Sequence, residues 1–123
     1  VNRRRIPASE GRSAIASWQA AGGHTHRDII ATAVRFSLEE LASRAPGKSV
    51  EVRVPPFGAA QCIAGSTHRR GTPPAVIEMT PDAFLRLVTG ALTWEAALAA
   101  GLVSASGERA DLSALMPIEE PAT

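Results

Sequence analysis

Thiol chemistry is almost missing from this sequence, because Cys62 is its only cysteine. One cysteine excludes an internal disulfide and leaves no second thiolate for a cysteine-rich metal site, so a reducing interior is the expected home. Net charge is also nearly missing. Thirteen lysines and arginines stand against twelve aspartates and glutamates, a formal +1, and so even a balance projects no field that draws in nucleic acid or an anionic membrane. Any charge-driven partner has to use a local patch. No uninterrupted apolar stretch reaches the ~18 residues of a membrane span, so stable membrane insertion is not expected. Val1 to Arg12 is polar and proline-containing with no apolar run behind its arginines, which does not fit a signal peptide. Pro121-Ala122-Thr123 is no peroxisomal address. The expected location is cytoplasmic.

Catalytic signatures are missing too. There is no Gly-x-Ser-x-Gly, no phosphate-cradling glycine loop and no dinucleotide fingerprint. The glycines are scattered as helix stops, and no cofactor is implied. His24 and His26 have a spacing seen in some metal sites, yet a metal needs further ligands that the sequence does not supply; no metal site is assigned. Cys62 lies in an apolar segment, where a thiol behaves as a small hydrophobe and its pKa rises. A nucleophile needs a nearby base, and His68 is the only one to suggest itself.

What is present suits one small globular domain. The chain has 123 residues, 45% hydrophobic and 20% charged, enough to bury roughly two-thirds of its unfolded surface. A basic lead over residues 1–12, a domain over 13–118 and a tail over 119–123 are expected. Ser13 to Ala21 places Ala14, Ile15 and Trp18 at helical spacing before a Gly22-Gly23 stop. From Thr25 a stronger pattern follows: Ile30, Val34, Leu38 and Leu41 form one stripe and Ile29, Ala33 and Phe36 another, up to the Ala-Pro-Gly at 45–47.

Val50, Val52 and Val54 alternate with Glu51 and Arg53, the period of a strand with one buried and one wet face. Pro55-Pro56 ends it. Ala59 to Ala64 and Ala75 to Met79 read as further strands, separated by a loop rich in glycine, proline and hydroxyls from Gly65 to Pro74. Thr80-Pro81-Asp82 offers an N-cap, a proline at the first helical position and an early carboxylate, and Gly90 closes that helix. Thr93 caps a second helix carrying Trp94 and Leu98 four residues apart. Leu102 to Ser106 reads as a last strand and Asp111 to Met116 as a short helix. This order predicts an α/β (α+β) fold, with a small mixed or antiparallel sheet of four to five strands covered by helices on one face.

The stretch from Ala75 to Ile118 resembles the C-terminal half of sterol carrier protein 2 domains. The resemblance is carried by Thr80, Asp82, Phe84, Leu85, Leu87, Val88, Gly90, Ala97, Gly101, Gly107 and Leu112. Upstream, SVEVRVPPFGAAQC and HRRGTPP are similar to the bacterial branch of that family, with Val54-Pro55-Pro56-Phe57-Gly58 in place of its usual Asp-Gly hairpin. The resemblance implies a five-stranded sheet covered by helices around an apolar tunnel. It also implies a non-enzymatic module that binds fatty acyl chains, acyl-coenzyme A or sterols. The family's domain also occurs appended to mycothiol-dependent isomerases, whose catalytic domain is absent here.

Within that frame Phe84, Val88, Trp94 and Leu98 are the candidate pocket walls, since large side chains on two short adjacent helices can splay around an acyl chain. Apolar spacing suits ordinary core packing equally well. Phe57, in a proline-stiffened turn, is placed at the mouth or against a neighbouring strand. His68, Arg69 and Arg70, with Thr72, form the compact basic cluster that can hold a carboxylate or phosphate at a rim, or else a solvated loop. Arg3 to Arg5 are given no role. The expected partner is an apolar small molecule or lipid, with homodimerisation left open. The alternative is an interaction or dimerisation module with a filled core, formerly paired with a separate catalytic domain. An enzyme built on Cys62 and His68 comes third.

Overall fold

The computed structural model describes residues 5–65, 75–107 and 110–119. Two long helices, α1 (Ala8–Ala20) and α2 (Arg27–Arg44), lead into a hairpin of β1 (Val50–Val54) and β2 (Gly58–Cys62). Strand β3 (Ala75–Met79) precedes the two short helices α3 (Pro81–Thr89) and α4 (Trp94–Ala99). Strand β4 (Val103–Ser106) and a single 3-10 turn at Ser113–Leu115 complete the order. The four strands are arranged β2-β1-β3-β4. Both outer pairs are antiparallel and the central β1–β3 pair is parallel. The sheet is therefore mixed and helices cover one side, an α+β fold as the element order predicts.

The alternation in β1 fixes which side is covered. Val50, Val52 and Val54 are fully buried, and the register sets Val52 beside Ala60 on one flank and Ile77 on the other. Ala75, Met79, Cys62 and Val103 extend the same apolar face. Each large side chain so buried contributes roughly 1.5–3 kcal/mol relative to exposure. On the opposite face stand Glu51, Arg53, Gln61, Glu78, Ser104 and Ser106, with an Arg53–Glu51 ion pair at 3.0 Å. That face is left to water.

Helix α2 supplies the cover, packing on β2 and α3, and α1 lies along its outer side. The closest approach is at Gly11, where the Phe36 ring occupies the space a side chain would need. The contact falls within the first turns of α1, which starts at Ala8, ahead of the Ser13 expected from spacing. Glycine disfavours a helix interior, but at this position it lets the Phe36 ring lie against the α1 backbone. The C-terminal segment closes the other flank with buried Leu112 and Ile118. Arg44 donates to the Ile118 carbonyl at 2.6 Å, and the Glu119 amide donates to the Val88 carbonyl at 3.0 Å. The helix expected over Asp111 to Met116 shrinks to one 3-10 turn, because the Asp111 carboxylate takes the Ser113 amide at 2.8 Å and Pro117 blocks continuation. Among the described residues no helix is long and apolar enough to cross a membrane.

Substituting Gly11→Ala tests the α1–α2 contact. Alanine gains about 1 kcal/mol of helix propensity, but a methyl group pressed into a buried ring costs about 1–3 kcal/mol. The net expectation is a lower melting temperature by calorimetry; an unchanged or raised one contradicts the packing described.

Candidate functional site

Helix α3 is held by local chemistry at both ends. The Thr80 hydroxyl accepts the Ala83 amide at 3.2 Å, Pro81 takes the first helical position, and Gly90 ends the helix at φ 83°. Within it Phe84 and Val88 are fully buried, as are Leu85 and Leu87, so these two sequence candidates sit in the main core facing the sheet and α2. Helix α4 repeats the threonine cap, with Thr93 accepting from Ala96 at 3.1 Å. Its inward pair is Trp94 and Ala97, whereas Leu98 is 44% exposed. The i,i+4 spacing of Trp94 and Leu98 thus does not bring both inside, since a six-residue helix buries only one narrow edge.

Phe57 is half-buried at the hairpin end of the sheet, held by two arginines of α2. The Arg27 guanidinium lies over its ring, 5.1 Å from the centroid, and Arg35 donates to its carbonyl at 3.1 Å. Neither arginine forms an ion pair among the described residues. Sequence reasoning did not connect them, although their i,i+8 spacing on one helix was a signal that they share a side. His68, Arg69, Arg70 and Thr72 lie outside the described residues.

One polar group is stranded in the interior. The hydroxyl of Ser37, on α2, is fully buried and has no hydrogen-bond partner among the described residues. On the helical wheel it shares a side with Ala33, Leu41 and Arg44, the last of which reaches the C-terminal segment. Elsewhere, a cleft of about 470 Å³ opens between the end of α1 and the outer side of α3, walled by Trp18, Gln19, Gly23, Asp82, Arg86 and Thr89. None of Phe57, Phe84, Val88, Trp94 and Leu98 lines it.

Cys62 is fully buried at the end of β2, and burial pushes its thiol pKa up to about 11 from 9.0. Among the described residues no cluster of three histidine, cysteine or acidic side chains is placed to hold a metal ion.

Comparison with known proteins gives one family. The family described as "Bacterial SCP ortholog" matches residues 26–118, from the start of α2 to the end of the C-terminal segment. None of the curated proteins matches the chain.

The cysteine yields a pH prediction. Between pH 9 and 11 the unfolded chain releases the Cys62 proton while the folded chain keeps it, so folding stability falls as pH rises through that window and is insensitive to this thiol below it. At pH 8 its thiolate fraction is about a hundredfold below that of an exposed thiol, and alkylation of the native protein is expected to be correspondingly slow. Rapid alkylation at pH 8 without unfolding would show that the thiol is neither buried nor inert.

Proposed function

The chain belongs to the bacterial sterol carrier protein family, and on that footing we propose that it binds and carries an apolar ligand, a fatty acyl or sterol-like molecule, without catalysing a reaction. The observation that carries this reading is the covered face of the sheet. Every large inward side chain of β1 and β3 and the inner sides of α3 and α4 are apolar, so a ligand entering between the layers meets hydrocarbon almost everywhere, with the Ser37 hydroxyl as the polar exception. Burial there is worth about 25 cal/mol per Å² before ordering costs. The proposed walls are Phe84, Val88 and Trp94, with Leu98 at the outer end and Phe57 at the hairpin end.

Phe84 and Val88 are packed into the core in this structure, so an entering chain has to displace them. Helices α3 and α4 are the short parts of the cover, nine and six residues long, and their separation from the sheet is the proposed route of entry. Two polar features suit an amphiphile better than a plain hydrocarbon. The stranded Ser37 hydroxyl gains a partner if a ligand brings a hydroxyl or carbonyl inside. Arg27 and Arg35 beside Phe57 carry charges that a carboxylate can neutralise.

Titration of the delipidated protein with a fluorescent long-chain fatty acid tests the reading, followed by competition with acyl-coenzyme A and with a sterol. Saturable, competable binding near micromolar is expected, and the order of competitors assigns the ligand class. A Phe84→Leu variant, which keeps the core apolar, is expected to shift the affinity about tenfold or less, corresponding to up to 1.4 kcal/mol, while remaining folded. Absence of saturable binding by the folded wild type would overturn the proposal.

A second reading has its own observation. Leu98 and Leu102 are 44% and 39% exposed, the large hydrophobic side chains left in water on the α4 side, as suits a surface that receives a second copy or a partner protein. Under this reading sedimentation shows a dimer that the double substitution Leu98→Glu and Leu102→Glu returns to monomer. A wild-type monomer at every accessible concentration excludes self-association.

A further inference from the structure

The cleft between α1 and α3 is a different place from the apolar interior and has different chemistry. Its volume, about 470 Å³, falls within the roughly 300–1,000 Å³ typical of small-molecule sites. Half of its wall comes from Trp18, Gln19, Gly22 and Gly23, which precede the residues 26–118 matched by the family. The other half is Ala91 and a stripe on α3, where Asp82, Arg86 and Thr89 follow one another at i, i+4 and i+7. That stripe lies opposite the side on which Phe84 and Val88 enter the core.

The Trp18 side chain is packed into the core, 6% exposed, while its indole N–H makes no hydrogen bond among the described residues and stays open to solvent. The core therefore fixes the ring and leaves its N–H available to an acceptor in the cleft. The position a side chain on Gly23 would take is 3.8 Å from the indole nitrogen and 3.3 Å from Asp82 Oδ1. Donor and acceptor therefore face the same small space, and Gly23, at φ +91°, keeps it empty. Arg86 lies beside Asp82 in a long ion pair of 3.9 Å, with both side chains substantially exposed. A pair so loosely made leaves most of the hydrogen-bonding capacity of each partner open.

We infer that this cleft binds a small zwitterion of the α-amino acid type, its carboxylate received by Arg86 and the Trp18 indole N–H and its ammonium by Asp82. The charge pattern selects this class. A simple carboxylate meets the repulsion of Asp82, and a simple amine meets that of Arg86. A molecule carrying both charges close together satisfies each group with the opposite sign. The Trp18 ring gives the ligand an apolar floor, and Gln19 at the rim adds an amide.

Nuclear magnetic resonance of the full chain tests the assignment, because Trp18 and Trp94 each give one indole N–H signal and a Trp94→Phe variant tells them apart. The probes are glycine and alanine, with acetate and ethylammonium at equal concentration as single-charge controls. The Trp18 signal is expected to move saturably with the amino acids, with a Kd at or below about 1 mM, while the Trp94 signal stays in place. Arg86→Ala and Asp82→Ala are each expected to weaken binding about tenfold, with melting curves confirming that both variants fold. The assignment is overturned if the Trp18 signal does not move saturably, if either single-charge control matches the amino acids, or if both variants bind as the wild type does. Fatty acid binding, measured on the same samples, reports on the apolar interior separately.

Discussion

The apolar face formed by Val50, Val52 and Val54 with Ile77 and Met79 has to be kept from water, and most of the rest of the molecule can be read as the means of doing so. These residues come from two parallel neighbours, β1 and β3, whose register sets Val52 against Ile77. A parallel pair cannot be joined by a tight turn. The connection runs instead through β2 and the residues after it, which widens the sheet on that edge and gives α2 a strand to rest on. Helix α3 follows β3 with only Thr80 between them, packs against α2 and sends its buried residues into the same core. The C-terminal segment then fills the remaining gap with Leu112 and Ile118, tied to α2 through Arg44 and to α3 through the Val88 carbonyl.

How much of this the sequence revealed depended on how local each cause was. The start of α3 was legible because Thr80, Pro81 and Gly90 act on their immediate neighbours. The two faces of β1 were legible because alternation is a property of five consecutive residues. The parallel pairing of β1 with β3 was not, since short strands carry no mark of their direction, and a mixed sheet and an antiparallel one suited the pattern equally. The early start of α1 was hidden by Gly11, whose meaning depends on Phe36, a residue on another helix. Leu98 was set beside Trp94 by spacing alone, yet a helix as short as α4 offers the core only Trp94 and Ala97.

The candidate sites divide in the same way. Phe84, Val88 and Trp94 were found because hydrophobic residues at helical spacing announce an inner face, but spacing does not tell a filled interior from an open one. The cleft went unread because its walls come from residues 18–23 and 82–91, far apart in sequence and mixed in character. Trp18 was read only as an apolar residue at helical spacing, and the place of its ring nitrogen near Gly23 and Asp82 becomes visible only in the fold. Arg27 and Arg35 likewise acquire a common object, Phe57, only when the hairpin is folded back against α2.

Helix α3 is the element on which both chemistries meet. Its nine residues present Phe84 and Val88 to the core on one side and Asp82, Arg86 and Thr89 to the cleft on the other. The Thr89 hydroxyl, which donates to the Leu85 carbonyl at 2.9 Å, ties the polar stripe to the backbone that carries the apolar one. A charged group bound on the outer stripe gains its interactions without entering the low-dielectric interior, where leaving an ion unpaired would be costly. An apolar chain bound on the inner side gains nothing from the outer charges. Under the two proposals, separation by one helix diameter would be sufficient to keep two ligands of opposite character apart, and both would share α3 as a support. If α3 moves to admit a ligand on one side, it shifts the groups on the other. By linkage, any resulting effect of the first ligand on binding of the second must be equalled by the effect of the second on the first.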